Sequence, residues 1–377
     1  MNIVYYYSKL NIGGAEKSTV RLLNLFCEKG HDVTLLLRWS GGLLEHELDP
    51  RVHIIYLKKE QQTHLSIGKT IVFLRETVLS VFRSIKLKDK KYDICINGLF
   101  GYDPGFLFRN ICAAQFYQML RNDVSQTGNY GKTREYMKIY GNCFDAYIGV
   151  SQYTTESFKM AYPELSDKAY TIYNVLPQIP IIHDEDPYQG YNERFKIVSV
   201  CRLVDKAKGL FRMANVCAEL RKLYEKRFVW FIVGDGPDGV KLEERIRELN
   251  LEDHMVLCGE QNNPFTYYEH ADLVAVLSYY EGLCGVVNEA KMMQRPVIAT
   301  EFSGIHEQIT DGVNGIIVEN NEAAILSKMR TCLENPELLT KYMNNDLPKD
   351  LQDNDLKVRH FEMLFRAIEK EKTNAKS

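Results

Sequence analysis

The segment Ser278-Tyr-Tyr-Glu281-Gly-Leu-Cys-Gly285-Val-Val-Asn-Glu289-Ala290 places two carboxylates eight residues apart, with a glycine turn between them. The apolar run Ala271–Leu277 before it is typical of a buried parallel strand. The two glycines allow the backbone to pass close to a ligand, and Val286–Met293 has helical composition. A strand, a turn and a helix N-terminus together predict an anion site, because unpaired N–H groups point outward there. An ordinary connection with two solvated glutamates is the alternative.

Further short segments accompany this one in order along the chain. They are Gly13–Glu16, Cys201–Leu203, Lys208–Gly209, Phe231–Gly236, Pro296–Ala299, Ser303–Glu307 and Asp311–Gly315. With the two glutamates, they resemble the motifs of retaining glycosyltransferases of family 4, which have the GT-B fold and a Glu-x7-Glu signature. The resemblance is dense over residues 196–320 and thin over residues 50–170.

Strand-like and helix-like patterns alternate in both halves of the chain. In the first half, strands are predicted at Ile3–Tyr7, Asp32–Leu37, Val52–Leu57, Tyr92–Asn97 and Asp145–Val150. In the second half they are predicted at Phe195–Cys201, Phe228–Val233, Met255–Leu257, Leu273–Leu277, Pro296–Ala299 and Gly315–Val318. This alternation predicts an α/β chain with two doubly wound parallel sheets.

The domain boundaries follow from breaks in that rhythm. Residues 176–194 contain three prolines and acidic residues, and we interpret them as an interdomain linker. The resemblance implies two Rossmann-like domains that face each other across a cleft. Residues 1–175 would form the acceptor-side domain and residues 195–355 the nucleotide-sugar-binding domain. The amphipathic segment within 356–377 is expected to form a helix that packs back towards the first domain.

Arg202, Lys208 and Glu281 are the candidate catalytic residues. When a nucleotide sugar reacts, negative charge develops on its departing diphosphate, and fixed cations stabilise that charge. The resemblance assigns this role to Arg202 and Lys208, and it assigns contact with the donor sugar to Glu281. A solvated loop rich in lysine is the alternative for the segment that contains both cations.

The candidate donor-binding residues surround these three. By resemblance, Glu289 accepts hydrogen bonds from the donor ribose, since a carboxylate can bind two vicinal hydroxyls. The resemblance also implies that backbone groups contact the donor diphosphate, and the glycines suit such close approach. These positions are Gly13, Gly14, Gly234, Gly282, Leu283, Cys284 and Gly285.

The acceptor side of the reaction centre departs from the family pattern. Many members carry a histidine after the strand that begins with Tyr-Asp, but Asp93–Phe100 contains none. At a second family site, Arg121 stands where a histidine is usual, followed by Asn122 and Asp123. These three residues are the acceptor-side candidates.

No metal or other cofactor is expected. Asp184 and Asp186 satisfy an Asp-x-Asp pattern, as do Asp353 and Asp355, but neither pair follows a predicted buried strand. The nine cysteines include no C-x-x-C pair and predict free thiols in a reducing compartment. We therefore expect a cytoplasmic protein.

The predicted function is a retaining, metal-independent glycosyltransferase of surface polysaccharide biosynthesis. It would move a hexose or N-acetylhexosamine from a nucleotide-diphosphate sugar, with a UDP-sugar favoured over GDP-mannose. The acceptor would be a saccharide or a polyprenyl-diphosphate-linked saccharide, and no nucleic acid is expected among the partners. The alternatives are a nucleotide-sugar epimerase of similar fold and a binding subunit that has lost activity. An NAD(P) dehydrogenase is disfavoured because no G-x-G-x-x-G opens either domain.

Residues 69–91 combine ten large apolar side chains with basic residues concentrated at their C-terminal end. An apolar helix with a basic end can lie in the interface of an anionic membrane. This segment therefore predicts peripheral contact with the inner face of the plasma membrane. A surface helix whose apolar face packs on the sheet is the alternative.

Overall fold

The computed structural model describes residues 1–58, 89–101, 104–124, 130–179, 186–344 and 346–374. The chain divides into two compact units. The N-terminal unit comprises Met1–Val175 and Asp353–Ser377, and the C-terminal unit comprises Leu176–Gln352. Each unit is built around one parallel sheet.

The N-terminal unit contains a seven-stranded sheet in the order β3-β2-β1-β4-β5-β6-β7. Its strands are β1 (Asn2–Tyr7), β2 (Asp32–Trp39), β3 (His53–Lys58), β4 (Lys91–Asn97), β5 (Cys112–Leu120), β6 (Ala146–Gly149) and β7 (Ala169–Thr171). Its α-helices among the described residues are α1 (Gly14–Glu28), α2 (Pro104–Asn110), α3 (Tyr130–Tyr140) and α4 (Gln152–Ala161). Short 3-10 turns lie at Glu45–Glu47, Gly141–Cys143 and Pro163–Lys168.

The C-terminal unit contains a six-stranded sheet in the order β10-β9-β8-β11-β12-β13. Its strands are β8 (Phe195–Val200), β9 (Phe228–Val233), β10 (Met255–Leu257), β11 (Leu273–Val276), β12 (Val297–Thr300) and β13 (Ile316–Val318). Its α-helices are α5 (Asp205–Lys208), α6 (Leu210–Leu223), α7 (Gly239–Glu248), α8 (Phe265–His270), α9 (Gly285–Met292), α10 (Glu322–Glu334) and α11 (Lys349–Gln352). Among the described residues of this unit, 3-10 segments lie at Ile305–Glu307 and Pro336–Tyr342.

Two Rossmann-like α/β units with parallel sheets confirm the predicted fold class. Two strands of the N-terminal sheet, β5 and β7, were not among the predicted strands. Strand β5 carries the buried polar residues Gln115 and Gln118, so it lacks the continuous apolar run that predicts a central strand. The amide of Gln118 is satisfied inside the sheet, where its Oε1 accepts from Asn97 at 2.9 Å and from the Tyr136 hydroxyl at 2.9 Å.

The segment predicted as a linker has packed residues at both ends. Leu176 is buried, and Tyr188 is fully buried in the apolar cluster on one face of the C-terminal sheet. The Tyr188 ring meets Phe231 edge-on at 4.6 Å, and its hydroxyl donates to the Tyr267 carbonyl at 2.7 Å. Tyr188 and Tyr191 therefore pack this end of the segment against the C-terminal sheet, despite its proline and acidic content.

The last helix, α12 (Asn354–Asn374), belongs to the N-terminal unit. Phe361 on its buried face packs edge-on against Phe26 at 5.3 Å, and the Phe365 carbonyl accepts from Gln115 at 2.9 Å. No helix among the described residues is long and apolar enough to cross a membrane. Of the segment 69–91 predicted to contact a membrane, residues 69–88 lie outside the described residues.

Candidate active site

Strands β8 and β11 are neighbours at the centre of the C-terminal sheet, and the chain leaves both at the same edge. In open parallel sheets, ligands bind at the carboxyl ends of the strands, where the connectivity reverses. Lys208 lies shortly after β8, and Glu281 and Glu289 follow β11. We call this region the Lys208 edge.

Lys208 and Glu281 form an ion pair across 73 residues of sequence. Their side chains are 23% and 17% exposed, so the pair is sheltered and still within reach of a ligand. Burial alone would lower the pKa of the Lys208 ammonium, but the charge of Glu281 outweighs it and holds that pKa above its usual value. The ammonium has three donors, so it can hold Glu281 and a phosphate oxygen together.

Glu281 is fixed from the other side by its own loop. The hydroxyl of Ser278 donates to the same Oε1 atom at 2.8 Å. The Ser278 carbonyl in turn accepts from the buried Thr300 hydroxyl at 2.6 Å, and Tyr279 N–H donates to the Ala207 carbonyl at 2.8 Å. These bonds connect the loop after β11 to helix α5, which carries Lys208.

Gly209 allows the backbone after α5 to lie close to the loop after β11. It adopts a left-handed conformation with φ 67°, which ends α5 and starts α6. A Cβ at this position would lie 2.8 Å from the Leu277 carbonyl oxygen and 2.4 Å from Nε of Arg212. The Lys208-Gly209 order in the sequence therefore has a local cause, since only glycine fits this corner without strain.

The N-terminus of α9 contributes backbone N–H groups to the same edge. Gly285 is exposed, and a Cβ built there would meet no atom within 4 Å. Behind it, Gln308 accepts from Cys284 N–H at 3.1 Å and donates to the Cys284 carbonyl at 2.7 Å. Burial, reinforced by Glu281, raises the pKa of the Cys284 thiol to about 12, so this thiol stays protonated at neutral pH. The turn is held from within and leaves open space outside.

Glu289 lies on α9 and accepts a hydrogen bond from a buried tyrosine. The Tyr268 hydroxyl donates to its Oε2 at 3.1 Å, and Tyr268 is fully buried. Burial and then the charge of Glu289 raise the pKa of Tyr268 well above its usual value, so the hydroxyl remains a donor. This bond orients a carboxylate that is itself only partly buried.

Arg202 differs from Lys208 in its surroundings. It is exposed at the end of the turn after β8, and its side chain makes no hydrogen bond or ion pair with the residues that the structure describes. His306 is also exposed and contacts Glu301 at 3.3 Å, as expected for a surface residue. Arg202 is therefore an available cation on the segment that follows β8.

Gly234 and Gly282 have less direct evidence for a role towards a ligand. Gly234 has φ 139°, and a Cβ there would lie 2.0 Å from the Cys201 carbonyl oxygen. That contact alone explains the glycine, because the turn after β9 packs on the backbone after β8. Gly282 is buried next to Glu281, and Leu283 is half-buried.

The N-terminal sheet has its own carboxyl edge, formed by Tyr5, Tyr7, Gly98 and Arg121, which we call the Arg121 edge. The Arg121 guanidinium donates to the Tyr5 hydroxyl at 2.8 Å, to the Thr19 hydroxyl at 2.8 Å and to the Gly98 carbonyl at 3.2 Å. Burial opposes its charge, but the two tyrosines and a nearby glutamate raise the pKa of Arg121 above its usual value. Arg121 thus joins β1, β4, β5 and α1.

The other predicted residues of the N-terminal unit are distributed around this edge. Asn122 is exposed, whereas Asp123 is 5% exposed and accepts from the Tyr153 hydroxyl at 3.2 Å. Gly13 precedes α1 in an extended conformation, and Gly14 is exposed with no atom within 4 Å of a built Cβ. Of the three acceptor-side candidates, Asn122 has the most exposed side chain.

The two Asp-x-Asp pairs have local roles where they are described. Asp186 accepts from Tyr188 N–H at 2.9 Å, and Asp353 accepts from Leu356 N–H at 2.9 Å at the start of α12. Among the described residues, no three His, Cys, Asp or Glu side chains are grouped so that they could hold a metal ion. Asp184 lies outside the described residues.

Comparison with known proteins identifies the family. The model of the family "Glycosyl transferases group 1" matches residues 183–346, which include the Lys208 edge. A Campylobacter jejuni relative is 33% identical over 351 residues, which cover 90% of this chain and 92% of the relative. It is named N-acetylgalactosamine-N,N'-diacetylbacillosaminyl-diphospho-undecaprenol 4-alpha-N-acetylgalactosaminyltransferase. The chain belongs to the group 1 glycosyltransferases.

Other group 1 glycosyltransferases and solved structures agree with this assignment. A second Campylobacter jejuni relative, 22% identical over 92% of both chains, is named as an alpha-1,4-N-acetyl-D-galactosaminyltransferase that acts on a GalNAc-containing diphospho-undecaprenol saccharide. The crystal structure of Anabaena Alr3699/HepE with UDP and glucose matches with a TM-score of 0.76 at 18% identity. It covers 96% of this chain and 98% of the Anabaena chain, and it shows the GT-B fold. The chain is therefore a glycosyltransferase with the GT-B fold.

Sequence reasoning missed two residues at the Lys208 edge of this glycosyltransferase. Tyr268, which orients Glu289, lies in a helix that precedes β11 and gives no motif signal of its own. Arg212, which contacts the loop before Glu281, follows Lys208-Gly209 by three residues and reads as a helix-surface cation. Its burial at 2% exposure is visible only in the structure.

Proposed function

We propose that this chain transfers an N-acetylhexosamine or hexose from a UDP-sugar, with retention of configuration and without a metal, to a lipid-linked saccharide. The observation that supports it best is the Lys208–Glu281 pair, with the exposed Arg202 on the turn after β8 and the open N-terminus of α9. A cation, a further unpaired guanidinium and outward N–H groups are the chemistry that a diphosphate needs.

Each residue has a defined part in this proposal. Arg202 and Lys208 neutralise the diphosphate, and they act most strongly as its charge increases during departure of the sugar. Glu281 contacts the donor sugar while it holds Lys208 in place. Glu289, oriented by Tyr268, binds the ribose hydroxyls. The N–H groups that follow Cys284 bind phosphate oxygens.

The names of the relatives support an α-linked product and a lipid-linked acceptor. The two Campylobacter jejuni relatives are named as forming alpha linkages to N-acetylgalactosamine on diphospho-undecaprenol saccharides. Common UDP-hexoses and UDP-N-acetylhexosamines are α-anomers, so an α-linked product corresponds to retention. We therefore place UDP-N-acetylhexosamines first among the donors, with UDP-hexoses and GDP-mannose after them.

The test is a panel of UDP, GDP and their sugars, first by thermal shift and then by release of nucleoside diphosphate. We expect UDP and one UDP-sugar to raise the melting temperature, and we expect that sugar to be consumed. NMR of the product would show an α-linkage. Stabilisation by GDP alone would overturn the donor, a β-linked product would overturn retention, and a 2-epimer of the sugar would favour an epimerase.

We also propose peripheral contact with an anionic membrane through residues 69–91, at the cytoplasmic face. The support is the sequence alone: a lipid-linked acceptor lies at a membrane, and each basic residue near an anionic surface contributes about 1 kcal/mol. Co-sedimentation with anionic liposomes tests it, with Lys86, Lys88, Lys90 and Lys91 changed together to Ser. Equal sedimentation of the two proteins would contradict the proposal.

A further inference from the structure

Arg212 is a buried cation that contacts Leu277, the first residue of the loop Leu277–Glu281. It lies on α6 and is 2% exposed. Its Nε donates to the Leu277 carbonyl at 2.9 Å, and Nη2 donates to the same oxygen. Leu277 is the first residue after β11, so this carbonyl lies where the chain turns from strand into loop.

The rest of the guanidinium is held by the same loop and by Asn320. Nη1 donates to the Asn320 side-chain oxygen at 2.5 Å, and the Tyr279 ring lies 3.9 Å from the guanidinium carbon. The Asn320 amide in turn donates to the Tyr279 carbonyl at 3.0 Å and to the Glu301 carbonyl at 3.2 Å. Arg212 and Asn320 thus hydrogen-bond the loop at the carbonyls of Leu277 and Tyr279, on either side of Ser278.

The groups that bond Arg212 are neutral: the Leu277 carbonyl and the side-chain oxygen of Asn320. An unpaired buried charge is costly, and an apolar side chain of similar volume often stabilises a fold more. Burial lowers the pKa of Arg212 below its usual value, and Tyr279, Glu322 and Asp205 offset this only in part. Its three bonding N–H groups all go to the Leu277 carbonyl and to Asn320, so the contacts of Arg212 point to a role in holding the loop before Glu281.

We propose that Arg212 is a positioning residue for the transfer reaction, acting through the Leu277–Glu281 loop on the Glu281–Lys208 pair. Two features of the site require this geometry to be tight. The Glu281 carboxylate must meet the Lys208 ammonium from a loop that the Tyr279 N–H joins to α5 and the Thr300 hydroxyl joins to β12. Gly209 has no side chain, which leaves room for Arg212 to reach the Leu277 carbonyl.

The planar guanidinium is essential to this role, because three of its N–H groups bond two acceptors in fixed directions. Lysine keeps the charge but offers a single rotatable ammonium and cannot reproduce that fork. Misplacement of a reacting group by about 1 Å can reduce a rate on the order of a hundredfold. We therefore expect Arg212→Lys and Arg212→Met to lower kcat for UDP-sugar turnover at least about tenfold, with the dissociation constant of UDP within about threefold of wild type.

The test compares these variants with Arg221→Met, a control on the same helix. Arg221 also donates to a backbone carbonyl, that of Asn250 at 3.0 Å, but it does not contact the loop. The control should retain wild-type kcat. Turnover is referred to the folded fraction of each protein, so a purely structural role would lower the melting temperature and leave kcat unchanged. That result would overturn the proposal.

A second measurement separates positioning from a direct contact with substrate. In a Glu281→Gln background, Arg212→Met should have little further effect on kcat, because both changes act on one pair and neighbouring effects are not additive. Full additivity would overturn the proposed route through Glu281. If Arg212→Met does not fold, Asn320→Ala replaces it and should lower kcat by a smaller factor; unchanged kcat there would reject the role.

This role rests on the proposed donor chemistry, and the two can fail separately. Wild-type protein that neither binds UDP nor consumes a UDP-sugar would reject the proposed donor and this role with it. Wild-type protein that turns over while Arg212→Lys matches it would reject only the role of Arg212.

Discussion

The two sheets of this glycosyltransferase end in carboxyl edges with opposite character. At the Arg121 edge, the guanidinium bonds hydroxyls and a carbonyl of its own unit. At the Lys208 edge, the central ion pair is partly exposed, Arg202 has no side-chain partner among the described residues, and Gly285 borders open space. Similar topology therefore produces one edge whose charge is occupied in holding strands together and one whose charge remains available to a ligand.

Lys208→Ala should have the largest effect on activity. Removing one fixed donor from developing charge typically lowers kcat about 10²–10³-fold, and Lys208 also orients Glu281. Lys206→Ala is the matched control, because Lys206 lies on the same short helix and is exposed. Steady-state kinetics with circular dichroism would measure both variants. Turnover of Lys208→Ala within a factor of two of Lys206→Ala would remove Lys208 from the site.

Arg121→Met tests the other side of the comparison. The variant loses the three hydrogen bonds of the guanidinium, each worth about 1.5–3 kcal/mol, but it also removes the cost of burying the charge. We therefore expect the free energy of unfolding of the N-terminal unit to fall by about 2–3 kcal/mol. The affinity for UDP should not change. Urea unfolding and calorimetric titration with UDP measure the two quantities. A variant of normal stability that has lost transfer to the acceptor would show instead that Arg121 serves the acceptor.

The comparison of the two edges also shows which of their features could be predicted from the sequence. It predicted that Lys208 and Glu281 each follow a buried strand, because apolar runs and glycines identify strand ends. It did not predict strand β5, whose buried Gln115 and Gln118 break the apolar pattern, and it did not predict the buried Arg212. In each case the polar group is satisfied by a partner far away in sequence, as with Gln115 and the Phe365 carbonyl. Local pattern carries no information about such a partner.

Glu289→Ala should weaken nucleotide binding and leave the Arg121 edge intact. The loss of a charged acceptor corresponds to about 1.5–3 kcal/mol, or roughly 10- to 150-fold in the dissociation constant of UDP. Because the variant also removes the partner of the buried Tyr268 hydroxyl, stability should fall slightly. Titration of UDP and of free uracil into the same protein separates ribose recognition from base recognition. An unchanged UDP affinity would exclude Glu289 from the nucleotide site.

Tyr268→Phe is a smaller version of the same test. It keeps the carboxylate of Glu289 and removes only the hydroxyl that orients it, so the loss of UDP binding should be smaller than for Glu289→Ala, about 0.5–1.5 kcal/mol. We expect the dissociation constant of UDP to rise by roughly 2- to 12-fold. The dissociation constant of 2'-deoxy-UDP should be the same for Tyr268→Phe and Glu289→Ala. Tyr267→Phe is the control, since the Tyr267 hydroxyl does not contact Glu289. Equal UDP affinities for Tyr268→Phe and Tyr267→Phe would show that Tyr268 only packs the core.

Chelation should have the smallest effect, because the charge at the Lys208 edge comes from side chains. In the proposed reaction Arg202 and Lys208 supply two cations for the diphosphate, and the described residues offer no group of three metal-binding side chains. We therefore expect UDP-sugar turnover to be the same before and after EDTA treatment. The same measurement on Lys208→Ala is a second test. Its residual activity should also be insensitive to EDTA if no metal ion contributes to the reaction. Loss of wild-type turnover in EDTA with recovery on addition of Mn²⁺ would show that a metal ion is required at the Lys208 edge. The Lys208 edge would then differ from the Arg121 edge by binding a metal ion.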